Sequence, residues 1–195
     1  MKKWILFAVV ALLLTGREEA SAGPITYTEQ FVGSGSLNGV SFTNAQVTIT
    51  APGDTSTVVN LGGGLFDNIV GTTTLNVSGF GPATFTDTIA VFDNHADSRA
   101  GFADTMSVDI MNTANAAFAS YDLTTSIGPL SGSPAFNPNT FFPTTLGNFN
   151  VNSVSGDSTF TASTGDVVPE PATLTLLLTG ALGMVAYGWR RRRTS

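Results

Sequence analysis

The chain has 195 residues, no cysteine and a formal net charge of −6. The lack of cysteine excludes disulfides, thiolate metal sites, thiol nucleophiles and the lipid-modified signal peptides that need a cysteine at the mature N-terminus. Between residues 23 and 168 there are 11 acidic residues and one base, Arg99, and because such a surface repels phosphate backbones, the sequence argues against nucleic-acid binding.

The first 22 residues predict a secretory signal peptide. Lys2 and Lys3 form a positive n-region, and residues 4–14 are an apolar run of 11 residues, too short to span a bilayer. Ala-Ser-Ala at residues 20–22 matches a signal-peptidase site, so we expect the mature chain to begin at Gly23. Charged residues just before the cut depart from the usual pattern. The alternative is an uncleaved N-terminal anchor, which the short apolar run disfavours.

Residues 23–168 are predicted to form an extracytoplasmic all-β domain. Apolar residues alternate with Thr and Ser, as around Val47 and Ile49, and this period of two is typical of strands with one wet and one dry face. Turn sequences, for example at 52–54 and 79–82, separate the strands. We therefore expect an antiparallel two-sheet sandwich or jelly roll. Nine residues of this pattern are expected in the core: Val47, Ile49, Leu75, Phe85, Val91, Val108, Ile110, Tyr121 and Phe149.

Two segments of the body break this alternation. Residues 127–143 contain four prolines and are predicted to form a long irregular connection. Residues 114–119 are the one segment where a helical turn is expected.

Arg99 is predicted to lie close to a carboxylate, because it is the single base among 11 acids. Asp87 is the first candidate partner, since it shares strand parity with Phe85 and Ile89 and is expected to point inward, where a lone charge is costly. The other candidate partners are Asp93, Asp97 and Asp104.

The C-terminal tail, residues 169–195, predicts a membrane anchor with a defined orientation. It opens with Pro169, Glu170 and Pro171, and residues 172–189 follow without a charge. As a helix these 18 residues would be ~27 Å long, just enough for a bilayer core. The positive-inside rule predicts a cytoplasmic stop-transfer cluster next, which places the body outside. That cluster consists of Arg190, Arg191, Arg192 and Arg193.

The order of these pieces resembles the PEP-CTERM sorting signal over residues 168–195. The resemblance implies that an exosortase, a membrane-embedded cysteine protease, recognises and processes the tail. It also implies a Gram-negative host that makes extracellular polysaccharide. The expected route is through the inner membrane to the cell surface or medium. Stretches of the body such as 35–39 and 121–129 resemble bodies that recur among uncharacterised PEP-CTERM proteins.

Candidate chemistry in the body is sparse. His95 is the single histidine, without neighbours at metal-ligand spacing, and no serine lies in a Gly-x-Ser-x-Gly elbow. Oxygens near His95 suit calcium, although their spacing is not that of an EF-hand, so they are weak metal candidates. These residues are Asp93, Asn94 and Asp97. We therefore expect no catalytic residues, no metal and no cofactor.

The sequence favours a non-enzymatic surface or matrix protein sorted by an exosortase system. Its expected partners are signal peptidase, the exosortase and extracellular polysaccharide. Two alternatives stay open: a secreted carbohydrate-active hydrolase, which needs two carboxylates flanking a cleft, and a calcium-dependent carbohydrate-binding module.

Overall fold

The computed structural model describes residues 23–165, so the predicted signal peptide, sorting motif and transmembrane helix lie outside the described residues. The described part is built almost entirely from antiparallel strands. These are β1 (Pro24–Leu37), β2 (Val40–Asp54), β3 (Val58–Gly62), β4 (Leu65–Ile69), β5 (Thr74–Val77), β6 (Ala83–Thr84), β7 (Ile89–Asn94), β8 (Arg99–Asp104), β9 (Asp109–Ala114), β10 (Ile127–Ala135), β11 (Phe142–Thr144) and β12 (Gly147–Thr164). Within residues 23–165 no helix has the length and apolar character needed to cross a membrane.

The strands form one curled antiparallel sheet, which confirms the predicted all-β class. The two sheets that the sequence predicted are continuous with each other in the structure. The strand order is β3-β4-β7-β8-β9-β10-β12-β1-β2-β5-β6, and β11 pairs with β12. The three long strands β1, β2 and β12 carry bulges, for example between Ser34 and Gly35, and a bulge bends a strand locally. Gly35 permits this close approach, because a Cβ there would collide with the carbonyl oxygen of Asn150.

The core lies between the two halves of the curled sheet. The ring of Phe160 on β12 lies 6.5 Å from Phe102 on β8 and 5.5 Å from Phe118, measured between centroids, so the two halves meet through aromatic contacts. Burying each such ring is worth ~1.5–3 kcal/mol. Eight of the nine predicted core residues are buried, which confirms the alternation. Val108 is only half-buried, because it precedes β9 in a turn where Ser107 has a φ of +64°.

The structure refines three local predictions. Residues 127–143 are more regular than expected, since they contain β10 and β11. The expected helical turn is a 3-10 helix, Ala116–Ser120, whose start is capped by the Asn115 side chain. Asp87 is exposed and not inward, because no strand runs through residues 86–88 and the count of alternating faces restarts at Ile89.

Candidate functional site

A pocket of about 240 Å³ lies on the outward face of the β4-β7-β8-β9 half of the sheet. Its middle row follows from the strand register, because residues paired across neighbouring strands share a face. Asp67 pairs with Phe92, Phe92 with Gly101, and Gly101 with Asn112. The row therefore places an aromatic ring between a carboxylate and a position that has no side chain.

Two further rows complete the pocket. On one side Leu65, Asn94 and Arg99 are paired across β4, β7 and β8. On the other side Ala90 pairs with Ala103, and Ala103 with Asp109. The pocket thus combines an apolar floor with a polar rim, as ligand sites usually do. Four further residues close the rim: Leu61 on β3, Asp104 at the end of β8, and Asp97 and Ser107 in the adjoining turns.

The two turns that form the rim are fixed by side chains bonded to nearby main-chain groups. One Asp104 carboxylate oxygen accepts the backbone N–H groups of Met106 and Val108, both at 2.9 Å. Asn94 accepts the backbone N–H of Ala96 and donates its amide N–H to Asp97 at 2.9 Å. Such Asx interactions hold a turn in one conformation. The rim acids are therefore held in place before any ligand arrives.

Arg99 reaches a carboxylate through an amide. Its guanidinium donates to the side-chain oxygen of Asn112 at 2.9 Å, and the Asn112 amide nitrogen donates to Asp109 at 3.0 Å. Among residues 23–165 it forms no ion pair within 4.0 Å, so the prediction of a direct partner is wrong for Asp87 and for the other candidates, Asp93, Asp97 and Asp104. Burial raises the pKa of Asp109, and the Arg99 charge and the Asn112 hydrogen bond oppose that rise.

Asp67 supplies an unmet acceptor at the pocket wall. Its Oδ1 is buried and has no hydrogen-bond donor among the residues that the structure describes. Burial raises the pKa of this carboxyl, and the backbone N–H of Asn68 partly offsets the rise. A buried oxygen without a donor is costly, and this cost favours the protonated form of the Asp67 carboxyl.

The structure separates the three weak calcium candidates. Asn94 and Asp97 line the outward pocket, whereas Asp93 is fully buried on the opposite face of β7. Neighbouring residues of a strand point to opposite faces, so Asp93 and Asn94 do not converge on one point. Within residues 23–165 no three His, Asp or Glu side chains are grouped so that they could hold a metal ion.

His95 and Asp93 pack together at the inner side of the sheet. The Nε2 of His95 lies 2.6 Å from the carbonyl oxygen of Tyr121 and 3.3 Å from Asp93 Oδ1. Because a carbonyl only accepts, Nε2 carries a proton, and the imidazole ring also packs on Phe66 at 5.0 Å between centroids. Burial, together with the charge of Asp122, raises the pKa of Asp93 to about 8.

Glu29 is an interior acid that the sequence analysis did not single out. Its side chain is fully buried, and it accepts a hydrogen bond from the Thr113 hydroxyl at 2.5 Å. Burial raises the pKa of Glu29 to about 8, while hydrogen bonds from Thr113 and Ser158 act in the opposite direction. The sequence feature that identifies Glu29 as an interior residue is its strand parity with Tyr27 and Phe31, both of which point inward.

Comparisons with known proteins bear on the tail. Residues 167–193 match the PEP-CTERM protein-sorting motif. The match includes Pro169, Glu170, Pro171 and Arg190 to Arg193, all of which lie outside the described residues. This motif implies export, sorting to the cell surface through the membrane, and processing by an exosortase. No curated protein and no solved structure matches the chain.

Proposed function

We propose that this chain is a non-enzymatic surface or matrix protein whose β domain is released by an exosortase and then associates with extracellular polysaccharide. The observation that carries the export and release in this proposal is the PEP-CTERM match at residues 167–193, which begins three residues after β12 ends at Thr164. The likeness of the body to uncharacterised PEP-CTERM bodies is part of this proposal.

The tail acts as a transient anchor in this proposal. A permanent single span needs no particular residues at its outer end, yet Pro169 and Pro171 flank Glu170 there. Two prolines around one residue favour an extended backbone up to the span, and a protease can bind an extended strip. Cleavage near Pro171 would free a domain whose net charge is −10 between residues 23 and 168. Such a domain has little affinity for an anionic membrane surface.

The test is mass spectrometry of the protein collected outside an exosortase-bearing host. We expect the released chain to begin at Gly23 and to lack residues 172–195. Replacing Pro169, Glu170 and Pro171 with alanine should leave the protein in the membrane fraction. Alanine at three exposed body positions is the matched control and should not change release: Asn152, Ser153 and Ser155. Released protein with an intact Arg190–Arg193 cluster would contradict the proposal.

One observation favours a second candidate, a glycoside hydrolase. Asp67 and Asp109 line the same pocket, and burial raises the pKa of each, as in acid catalysts. However, they stand on β4 and β9 with two strands between them, which separates their backbones by ~14 Å at ~4.8 Å per strand spacing. Side chains stand roughly perpendicular to a sheet, so these two carboxyls stay about as far apart as their backbones. Paired glycosidase carboxyls lie ~5–9.5 Å apart, so the spacing favours binding over hydrolysis.

The assay for the second candidate is hydrolysis of polysaccharides by the purified chain. Our proposal expects no reducing ends above background. Hydrolysis that Asp67→Asn or Asp109→Asn abolishes, and that Asp157→Asn leaves intact, would establish the hydrolase instead.

A further inference from the structure

The floor of the outward pocket has the shape and chemistry of a small apolar platform. Phe92 is half-buried in its centre, and Ala90 and Ala103 flank it with methyl groups only. Opposite Phe92 stands Gly101, where a Cβ would lie 2.3 Å from the backbone oxygen of Met111, so the position is restricted to glycine. The ring therefore has no side chain across from it on β8. An aromatic face left open in this way suits the apolar C–H face of a sugar ring.

The rim above this floor accepts more hydrogen bonds than it donates. Four carboxylates surround the pocket, and Arg99 is their single cationic neighbour in the lining. The guanidinium of Arg99 donates to Asn112 and makes no ion pair within 4.0 Å among residues 23–165. The rim thus carries unbalanced negative charge, and a ligand with an ammonium group supplies the positive charge together with N–H donors for the carboxylate oxygens that face the pocket.

From this combination we infer that the pocket binds a saccharide unit that bears a protonated amino group, such as a deacetylated hexosamine within a polymer. The sugar ring stacks on Phe92, and its ammonium group faces Asp67. The same charges repel saccharides rich in uronic acid, because the body carries a net charge of −10 between residues 23 and 168. This inference rests on the proposed association with polysaccharide and narrows its ligand class.

The experiment is calorimetric titration of the full chain, purified in an uncharged detergent, at mildly acidic pH where the amines are protonated. Three oligosaccharides of equal length serve as probes: oligomers of glucosamine, of N-acetylglucosamine and of galacturonic acid. We expect the glucosamine oligomer to bind at least about tenfold more tightly than either other probe, a difference of about 1.4 kcal/mol. Its affinity should fall as salt is raised, because the ammonium–carboxylate attraction is screened.

Variants locate the site. Asp67→Asn and Phe92→Ala should each weaken binding of the glucosamine oligomer about tenfold. Asp157→Asn makes the same charge change at an exposed position outside the pocket and should leave the affinity unchanged. If Phe92→Ala fails to fold, Asp67→Asn still tests the pocket, because Asn and Asp have nearly the same shape.

The outcomes that overturn the inference differ from those that overturn the proposed function. Equal binding of the acetylated and deacetylated oligomers would overturn the amino-sugar assignment. Tight binding that neither pocket variant changes would move the site elsewhere and leave the association with polysaccharide intact. Absence of binding to all three probes also overturns the inference. If the host's own extracellular polysaccharide then still retains the protein, the proposed function stands, and if it does not, that function fails as well.

Discussion

The inner and outer faces of the curled sheet place their carboxylates in different surroundings. On the inner side Asp93 is fully buried, as is Glu29 on β1, and neither forms an ion pair with Arg99. On the outer side the carboxylates of Asp67, Asp104 and Asp109 line an open pocket that also contains Arg99. Burial raises the pKa of acids on both faces, so depth decides how strongly an acid here favours its protonated form.

The inner acids make stability depend on pH in a direction opposite to that of an ordinary ion-paired acid. Burial raises the pKa values of Glu29 and Asp93 to about 8 in the folded protein. The unfolded chain loses these protons near their ordinary values of 4.5 and 3.8. Between those values and about pH 8 the folded state binds more protons, so the free energy of unfolding falls as pH rises. Above about pH 8 both states are ionised and the penalty is constant.

The largest effect is expected from Glu29→Gln. The change removes a carboxyl that must stay protonated, while the amide oxygen still accepts from Thr113. At pH 7 the unfolded state ionises with a pKa of 4.5 and the folded state keeps the proton, so the wild-type penalty is about 3 kcal/mol. We expect the variant to be more stable by about that amount at pH 7 and equal to wild type at pH 4. Denaturant unfolding at the two pH values measures it.

The outer control for this prediction is Asp157→Asn, which makes the same kind of change at an exposed position. Its free energy of unfolding should stay within ~0.5 kcal/mol of wild type. Most substitutions destabilise, so stabilisation by Glu29→Gln is a demanding outcome. If Glu29→Gln were less stable than wild type at pH 7, burial would not impose a larger penalty on this inner acid than on the exposed one.

A smaller effect in the same direction is expected from Asp93→Asn. The folded pKa of about 8 again predicts a penalty between pH 3.8 and 8. However, the His95 ring 3.3 Å from Asp93 Oδ1 is itself partly exposed, so water screens this acid more than it screens Glu29. We expect stabilisation of about 2 kcal/mol at pH 7, measured by denaturant unfolding. Equal stability of variant and wild type from pH 4 to pH 8 would show that water reaches Asp93.

The sequence predicted the fold class and the core well because alternation is a local signal. Val47, Ile49 and Leu75 are buried as their period of two requires. The same reasoning misplaced Asp87, since parity carries no information across a break in a strand. It also overlooked Glu29, although the residue shares parity with Tyr27 and Phe31. An analysis of the alternation that counts only apolar residues therefore misses a charged residue at an inward position.

The pocket could not be read from the sequence in the same way. Its middle row joins Asp67 to Asn112 through Phe92 and Gly101, so it depends on the register of four strands. Pairing between strands is fixed by long-range packing and by bulges, which a single sequence does not reveal. The joining of the two halves into one sheet through β10 is long-range for the same reason. Sequence reasoning named four residues of this lining, Asn94 and Asp97 as weak calcium candidates and Arg99 and Asp104 as a candidate ion pair, but it did not bring them together in one pocket.

An intermediate effect of opposite sign is expected from Asn112→Ala on the outer face. Asn112 is buried and links Arg99 to Asp109 by two hydrogen bonds. Removing the amide leaves a partly buried cation and carboxylate without their shared partner, which we expect to cost about 1–2 kcal/mol. Thermal unfolding measures it. Asn137→Ala, at an exposed position, is the matched control and should change little. If both variants unfold like wild type, the Arg99–Asn112–Asp109 chain does not contribute to stability.

The smallest effect is expected from Asp109→Asn, and it sharpens the contrast with Glu29. Burial raises the pKa of Asp109, whereas the Arg99 charge and the Asn112 hydrogen bond lower it. Because this residue is only half-buried, water screens both influences, and the net preference for the protonated form is small. Because the pKa of Asp109 is raised in the folded state, its contribution to the free energy of unfolding weakens as the pH rises through that pKa. The Asp109→Asn variant should therefore be as stable as wild type, or slightly more stable, at pH 7. We expect a change within ~0.5 kcal/mol by denaturant unfolding, with the same result at pH 5 and pH 8.

A change of more than about 1 kcal/mol at pH 8 would mean that the outer acids are as sheltered as the inner ones. The charges needed to hold an ammonium group in the pocket would then be missing.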